Sequence, residues 1–311
     1  MRVSRSRVFG LTCVGAALLA AAACGGGKDE AESGAGENVP LVVATTSIWS
    51  DVVSNVACDG LARVEALIPS GADPHAFEPS LSDRGTMESA SLVVANGLQL
   101  EESLEDTLDA VEGNGQPVFR VAEHVVTISA TADDEGADPH VWLDPSRVSA
   151  ALPSLGDALV EHAGLDRVAV DACVSGYQDE LAAVDAEVAE SLSRVREGGR
   201  TLVSNHDALA YFADRYGLEV LGTVIPAPST LAETNPAQLE ELAEAAEQAG
   251  VRTIFSEAQH SDADVVALAE RVGDIEVATL HTGSLGEPGS GAENYLGLLR
   301  TNAELIASGL S

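Results

Sequence analysis

Residues 166–197 run without proline, and Cys173, Tyr177, Leu181, Val184, Val188, Leu192 and Val195 recur at steps of four, four, three, four, four and three. That spacing predicts one amphipathic helix. At 1.5 Å per residue it would extend about 45 Å, long enough to lie along two domains as a stiff brace. Periodicity alone would fit a long surface helix equally well. Gly176 weakens it locally, by about 1 kcal/mol relative to alanine.

On either side of this helix, short β-branched runs alternate with helical patterns. Strands are expected at 41–45, 63–68, 91–95 and 118–121, with helices near 49–56, 79–90, 101–111 and 145–162. A second set follows, with strands at 201–204, 219–223, 251–255 and 276–280 and helices near 208–216, 236–249, 262–272 and 292–307. Alternation of this kind predicts parallel α/β sheets. Pro79, Pro145 and Pro236 suit the first turns of their helices, Asp144 and Asn235 suit the caps, and Gly250 ends the helix opened by Pro236. The fold class expected is therefore α/β: a lobe over 41–165, a linking helix over 166–198, and a second lobe over 199–311.

The amino terminus carries Arg2, Arg5 and Arg7, then an apolar run over 8–23 and Cys24-Gly25-Gly26-Gly27. This pattern is an export leader, too short for a comfortable membrane span. It resembles the bacterial lipobox, which would cleave the chain before Cys24 and lipidate that cysteine, although Ala21 stands where leucine is usual. Residues 25–40 are poor in anything to bury and read as a tether. Export leaves Cys58 and Cys173 in an oxidising compartment, where they form a disulfide or remain two separate buried thiols. The net charge of −34, with Lys28 the sole lysine, repels phosphate backbones and anionic lipid, so nucleic acid is excluded as a partner.

The chain has seven histidines, and two of them close copies of one tripeptide, Asp73-Pro74-His75 and Asp138-Pro139-His140. Proline fixes its own φ and pushes the preceding residue toward an extended conformation, so each copy holds its histidine on a stiff turn. A third histidine, His206, follows the strand-like run 201–205. One Asp-Pro-His is an ordinary turn signal. Two of them, with a histidine at a strand end, point to a metal site. Ligands of open parallel sheets collect at the carboxyl ends of strands, where His75, His140 and His206 are all expected. The first lobe would offer His75 and His140 and the second His206, with the ion bridging the cleft.

Several stretches carry a family resemblance: Gly71-Ala72-Asp73-Pro74-His75-Ala76-Phe77-Glu78-Pro79-Ser80, Ala95-Asn96-Gly97-Leu98-Gln99-Leu100-Glu101, Asp138-Pro139-His140-Val141-Trp142-Leu143-Asp144-Pro145, Ser204-Asn205-His206-Asp207-Ala208 and Phe255-Ser256-Glu257. With them the chain resembles the metal-binding solute receptors of bacterial ABC importers, the zinc and manganese class of adhesin-like lipoproteins. The resemblance implies two α/β lobes joined by one rigid helix, a metal buried between them, and no catalysis. It also implies a monomer anchored outside the cytoplasm, at the cell surface or in the periplasm, with a membrane permease and an ATPase as partners.

That family usually adds an acidic ligand within a Thr-Asp-Ser or Thr-Glu-Ser pattern, whereas this chain has Thr282-Gly283-Ser284. By strand alternation His281 faces the same side as Gly283 and is expected as the fourth ligand, with a water or Glu257 as alternatives. Three neutral imidazoles favour Zn2+ over Mn2+. The histidine-rich loop frequent in zinc importers is replaced by the acidic Asp133-Asp134-Glu135. A zinc hydrolase with Glu257 as general base is the rival reading, though the chain has neither a His-Glu-x-x-His nor a Gly-x-Ser-x-Gly element. Adhesion or metal storage without transport is a third.

Overall fold

The computed structural model describes residues 39–58, 60–129, 136–273 and 275–311. The leader expected over 1–24, nearly all of the tether and the acidic segment 133–135 lie outside these residues.

The first lobe runs β1 (Leu41–Ala44), α1 (Ser47–Val56), β2 (Arg63–Ala66), α2 (Leu81–Ser89), β3 (Leu92–Ala95), α3 (Glu105–Gly113) and β4 (Val118–Arg120). Its strands pair in the order β2-β1-β3-β4, all parallel. Two helices follow, α4 (Pro145–Ala163) and α5 (Arg167–Ser193). The second lobe comprises β5 (Thr201–His206), α6 (Ala210–Tyr216), β6 (Glu219–Ile225), α7 (Pro236–Ala249), β7 (Thr253–Glu257), α8 (Ala263–Val272), β8 (Glu276–Leu280) and α9 (Tyr295–Gly309). Its sheet has the order β6-β5-β7-β8, again parallel. Each sheet changes direction of winding beside its first strand, next to β3 in one lobe and β7 in the other.

Local chemistry moves two expected boundaries. Pro79 stays outside α2, because Ser80 caps that helix in a capping box with Asp83 and sets its start at Leu81. The helix α5 ends at Ser193 instead of continuing to 197, and a separate 3-10 turn spans Glu197–Gly199. Asp144, Asn235 and Gly250 cap as their sequence positions imply.

Helix α5 buries Val170, Val174, Tyr177, Leu181, Val184, Val188 and Leu192, and it packs on α1 and α4 on one side and α9 on the other. Gly156 on α4 lets the two helices meet closely, since a Cβ there would stand 3.1 Å from Val174 and 3.2 Å from Val170. One apolar core runs from Val42 and Trp49 through α5 to Phe255, Tyr295 and Leu310, so both lobes share it. Cys58, just past α1, is disulfide-bonded to Cys173 on α5, with Cα atoms 5.7 Å apart.

Polar bonds add to the join between lobes. The Trp142 indole donates to the Thr282 carbonyl at 2.7 Å, and Tyr211 Oη donates to the Asp138 carbonyl at 2.8 Å. Ser284 Oγ accepts from the Gly71 amide at 2.7 Å, and Thr230 Oγ1 donates to Asp73 Oδ2 at 2.7 Å.

Candidate metal centre

The two Asp-Pro-His turns are built alike. In each, the aspartate accepts a hydrogen bond from the histidine amide two residues on: Asp73 Oδ1 from His75 at 3.0 Å and Asp138 Oδ1 from His140 at 2.8 Å. Proline stiffens the turn and the carboxylate closes it. The third histidine is the last residue of β5, and its amide donates to Glu257 Oε1 at the neighbouring end of β7, at 3.1 Å.

These turns bring three rings together. His75, His140 and His206 are each no more than 2 % exposed, and one nitrogen of each lies within 4.8 Å of the other two. The Nε2 atoms of His75 and His140 are 3.4 Å apart, and those of His206 and His140 are 3.1 Å apart.

Carboxylates fix the tautomers. His140 Nδ1 donates to Asp138 Oδ1 at 2.7 Å and His206 Nδ1 donates to Glu257 Oε1 at 2.5 Å, since a carboxylate oxygen can only accept. Both Nε2 lone pairs then point inward, and lone pairs 3.1 Å apart repel unless a cation stands between them. Orienting carboxylates behind imidazoles are the usual support of metal-ligating histidines. His75 lacks one: its Nδ1 is buried without a hydrogen bond, and Glu102 Oε1 is 3.7 Å away.

Protonation differs across the three. Burial, followed by the charges of His140, His206 and His260, lowers the pKa of His75 to about 2, so it stays neutral. Burial also opposes charge on His206, but the Glu257 carboxylate outweighs it and raises the pKa above the ordinary value. Burial likewise pushes Glu257 up, yet His206, the Thr282 hydroxyl and His260 bring it down to about 2.

His281 does not join this group. Strand β8 ends at Leu280, so the alternation that should aim residue 281 into the cleft has already stopped. Its backbone is instead clamped by Asn302, which accepts from the His281 amide at 2.9 Å and donates to its carbonyl at 2.7 Å. The ring lies toward Gly286 and Ser290. Thr282 and Ser284 turn inward in its place.

Glu257 is committed elsewhere. Its Oε1 accepts from His206, and its Oε2 accepts from Gln259 Nε2 at 2.8 Å and from the Thr282 hydroxyl. Both of its oxygens therefore orient His206 and the neighbouring Gln259 and Thr282 side chains. His124 stacks on Phe119 at 4.4 Å and His162 lies in the last turn of α4, both away from the cluster.

Residues that spacing alone passes over hold the turns in place. Asn96 Nδ2 donates to the Pro139 carbonyl at 2.9 Å and so grips the second Asp-Pro-His turn, while its Oδ1 accepts from Trp49. Glu101, fully buried, accepts from the Thr45 hydroxyl and from the amides of Asn96 and Gly97. These bonds support a turn in which Gly97, Leu98 and Gln99 all have positive φ, and the chain beyond it bonds the His75 carbonyl through Ser103. The signal was present in the stretch 95–101, whose polar residues sit at a strand end.

The family model described as zinc-uptake complex component A, periplasmic, matches residues 42–309. Among curated relatives, the manganese-binding lipoprotein MntA of Halalkalibacterium halodurans is 28 % identical over 299 residues, 94 % of this chain and 95 % of its own length. The zinc-binding protein TroA of Treponema pallidum is 28 % identical over 292 residues, 92 % of each chain. The solved structure of the periplasmic zinc-binding protein TroA from Treponema pallidum superposes with a TM-score of 0.81 at 27 % identity, covering 88 % of this chain and 99 % of that one.

Proposed function

The chain belongs to the zinc-uptake component A family of metal-binding ABC-importer receptors, and from that membership we propose that it captures zinc outside the cytoplasm through His75, His140 and His206 and delivers it to a permease and ATPase. The family consists of transporter components, not enzymes. The observation that carries the reading is the convergence of three buried Nε2 atoms, two of them backed by carboxylates.

Relatives are named for manganese as well as zinc, so the choice of ion rests on the donors. Neutral imidazoles suit borderline-soft zinc, whereas manganese prefers carboxylate and carbonyl oxygen. The inward-facing donors of the cluster are nitrogens, because Asp138 and Glu257 face the far side of the rings. We further propose a monomer held to the outer face of the membrane through lipidated Cys24.

The test is the metal content of protein purified without added ions, followed by competition between Zn2+ and Mn2+ against a chelating indicator. Zinc should be bound at one equivalent and resist displacement by manganese. Replacing His206 with alanine should cost about 100- to 1000-fold in zinc affinity, if about 10–16 kcal/mol of zinc binding is shared among four donors. Preferential retention of manganese would overturn the choice of ion. Unchanged affinity in the His206 variant would overturn the site.

A further inference from the structure

Tetrahedral zinc takes four donors, and the triad supplies three. We propose that His260 supplies the fourth, giving the ion a shell of four imidazoles. This rests on the reading of His75, His140 and His206 as ligands.

His260 follows β7 on a turn fixed by its amide, which donates to the Glu257 carbonyl at 3.1 Å. Its ring stands 5.7 Å from that of His206, centroid to centroid, at 71°. The triad's own pairs span 5.0 to 5.7 Å, so from His206 the fourth ring is as near as His75. Donor atoms of His206, Glu257 and His260 lie within 4.8 Å of one another, a second group that shares His206 with the triad.

The free donor is there. His260 Nε2 is buried without a hydrogen bond, a condition that is unfavourable unless something binds it. The nearest carboxylate oxygen, Asp73 Oδ2, is 3.8 Å away and already accepts from Thr230. Glu257, the other oxygen donor in the group, has both oxygens engaged.

Residue 283 makes the room. A Cβ on Gly283 would stand 2.9 Å from Gln259 Nε2 and 3.2 Å from Pro74, so any side chain there would push against the 259–260 segment. With glycine, that segment lies against the cluster, and Gln259 bridges Glu257 and Thr282 at 2.8 and 2.7 Å.

The experiment compares the wild type with His260→Ala, His260→Gln and the control His281→Ala. Zn2+ affinity is measured by chelator competition, and Co2+ serves as a spectroscopic stand-in whose visible absorption is strong in four-coordinate and weak in six-coordinate sites. Both His260 variants should bind Zn2+ about 100- to 1000-fold more weakly, by the same division of binding energy among four donors, and should lose the four-coordinate nitrogen spectrum. His281→Ala should match the wild type. A His260 variant that melts cooperatively yet keeps wild-type affinity and spectrum overturns the proposal and leaves the triad standing. Failure of the wild type itself to bind Zn2+ overturns both.

Discussion

At the scale of single residues, the centre depends as much on what stands behind the rings as on the rings. Asp138 and Glu257 hold Nδ1 of His140 and His206, so Asp138→Asn and Glu257→Gln should each weaken metal binding by about 10- to 100-fold without removing a ligand. Isothermal titration with zinc reads that loss. Protons compete at His206, whose pKa Glu257 raises against the pull of burial, whereas His75 is held neutral down to about 2. Zinc affinity should therefore fall as pH drops through a point above the ordinary imidazole value of about 6.5. An affinity that stays constant from about pH 8 to about pH 5 in chelator competition would contradict this.

The same two residues act oppositely on the metal-free fold. The depressed His75 costs stability as pH falls below about 6.5, because only the unfolded chain then takes up the proton. The raised His206 contributes stability in acid that is lost as pH rises through its folded pKa. His75, His140 and His206 were legible as a cluster because proline and strand ends mark stiff loops. The placement of His281 extended strand alternation one residue beyond the end of β8, and its ring lies outside the group formed by the other three. Glu257 was legible as a strand-end carboxylate, but its part as the brace of His206 depends on two neighbouring strands and no local pattern encodes it.

At the scale of elements, strand and helix order followed from periodicity, and the shifted start of α2 traces to capping. Ser80 with Asp83 outcompeted Pro79 as the start of α2, and α5 stopped short of the 3-10 turn Glu197–Gly199. Gly176 lies within α5 with open space where a Cβ would stand. Gly176→Ala should thus raise unfolding stability by about 0.5–1 kcal/mol in urea, with zinc affinity unchanged. The same change at Gly156 meets Val170 and Val174 across the α4–α5 contact, so that gain should vanish there.

At the scale of the whole molecule, the disulfide between Cys58 and Cys173 closes a separation of 115 residues and fastens α1 to α5. Replacing both cysteines with serine should lower unfolding stability by about 2–4 kcal/mol, the usual range for such a link, and leave the histidine cluster intact. Chemical denaturation with and without the pair measures it. The shared apolar core that passes from the first lobe through α5 to α9 bears on how cargo leaves. Swinging the halves apart would expose that core to water, so unloading falls to the short turns carrying the histidines, and X-ray scattering profiles of the loaded and empty receptor should overlay. The transporter would then have to tell full from empty by touch at the rim of the cleft, not by silhouette.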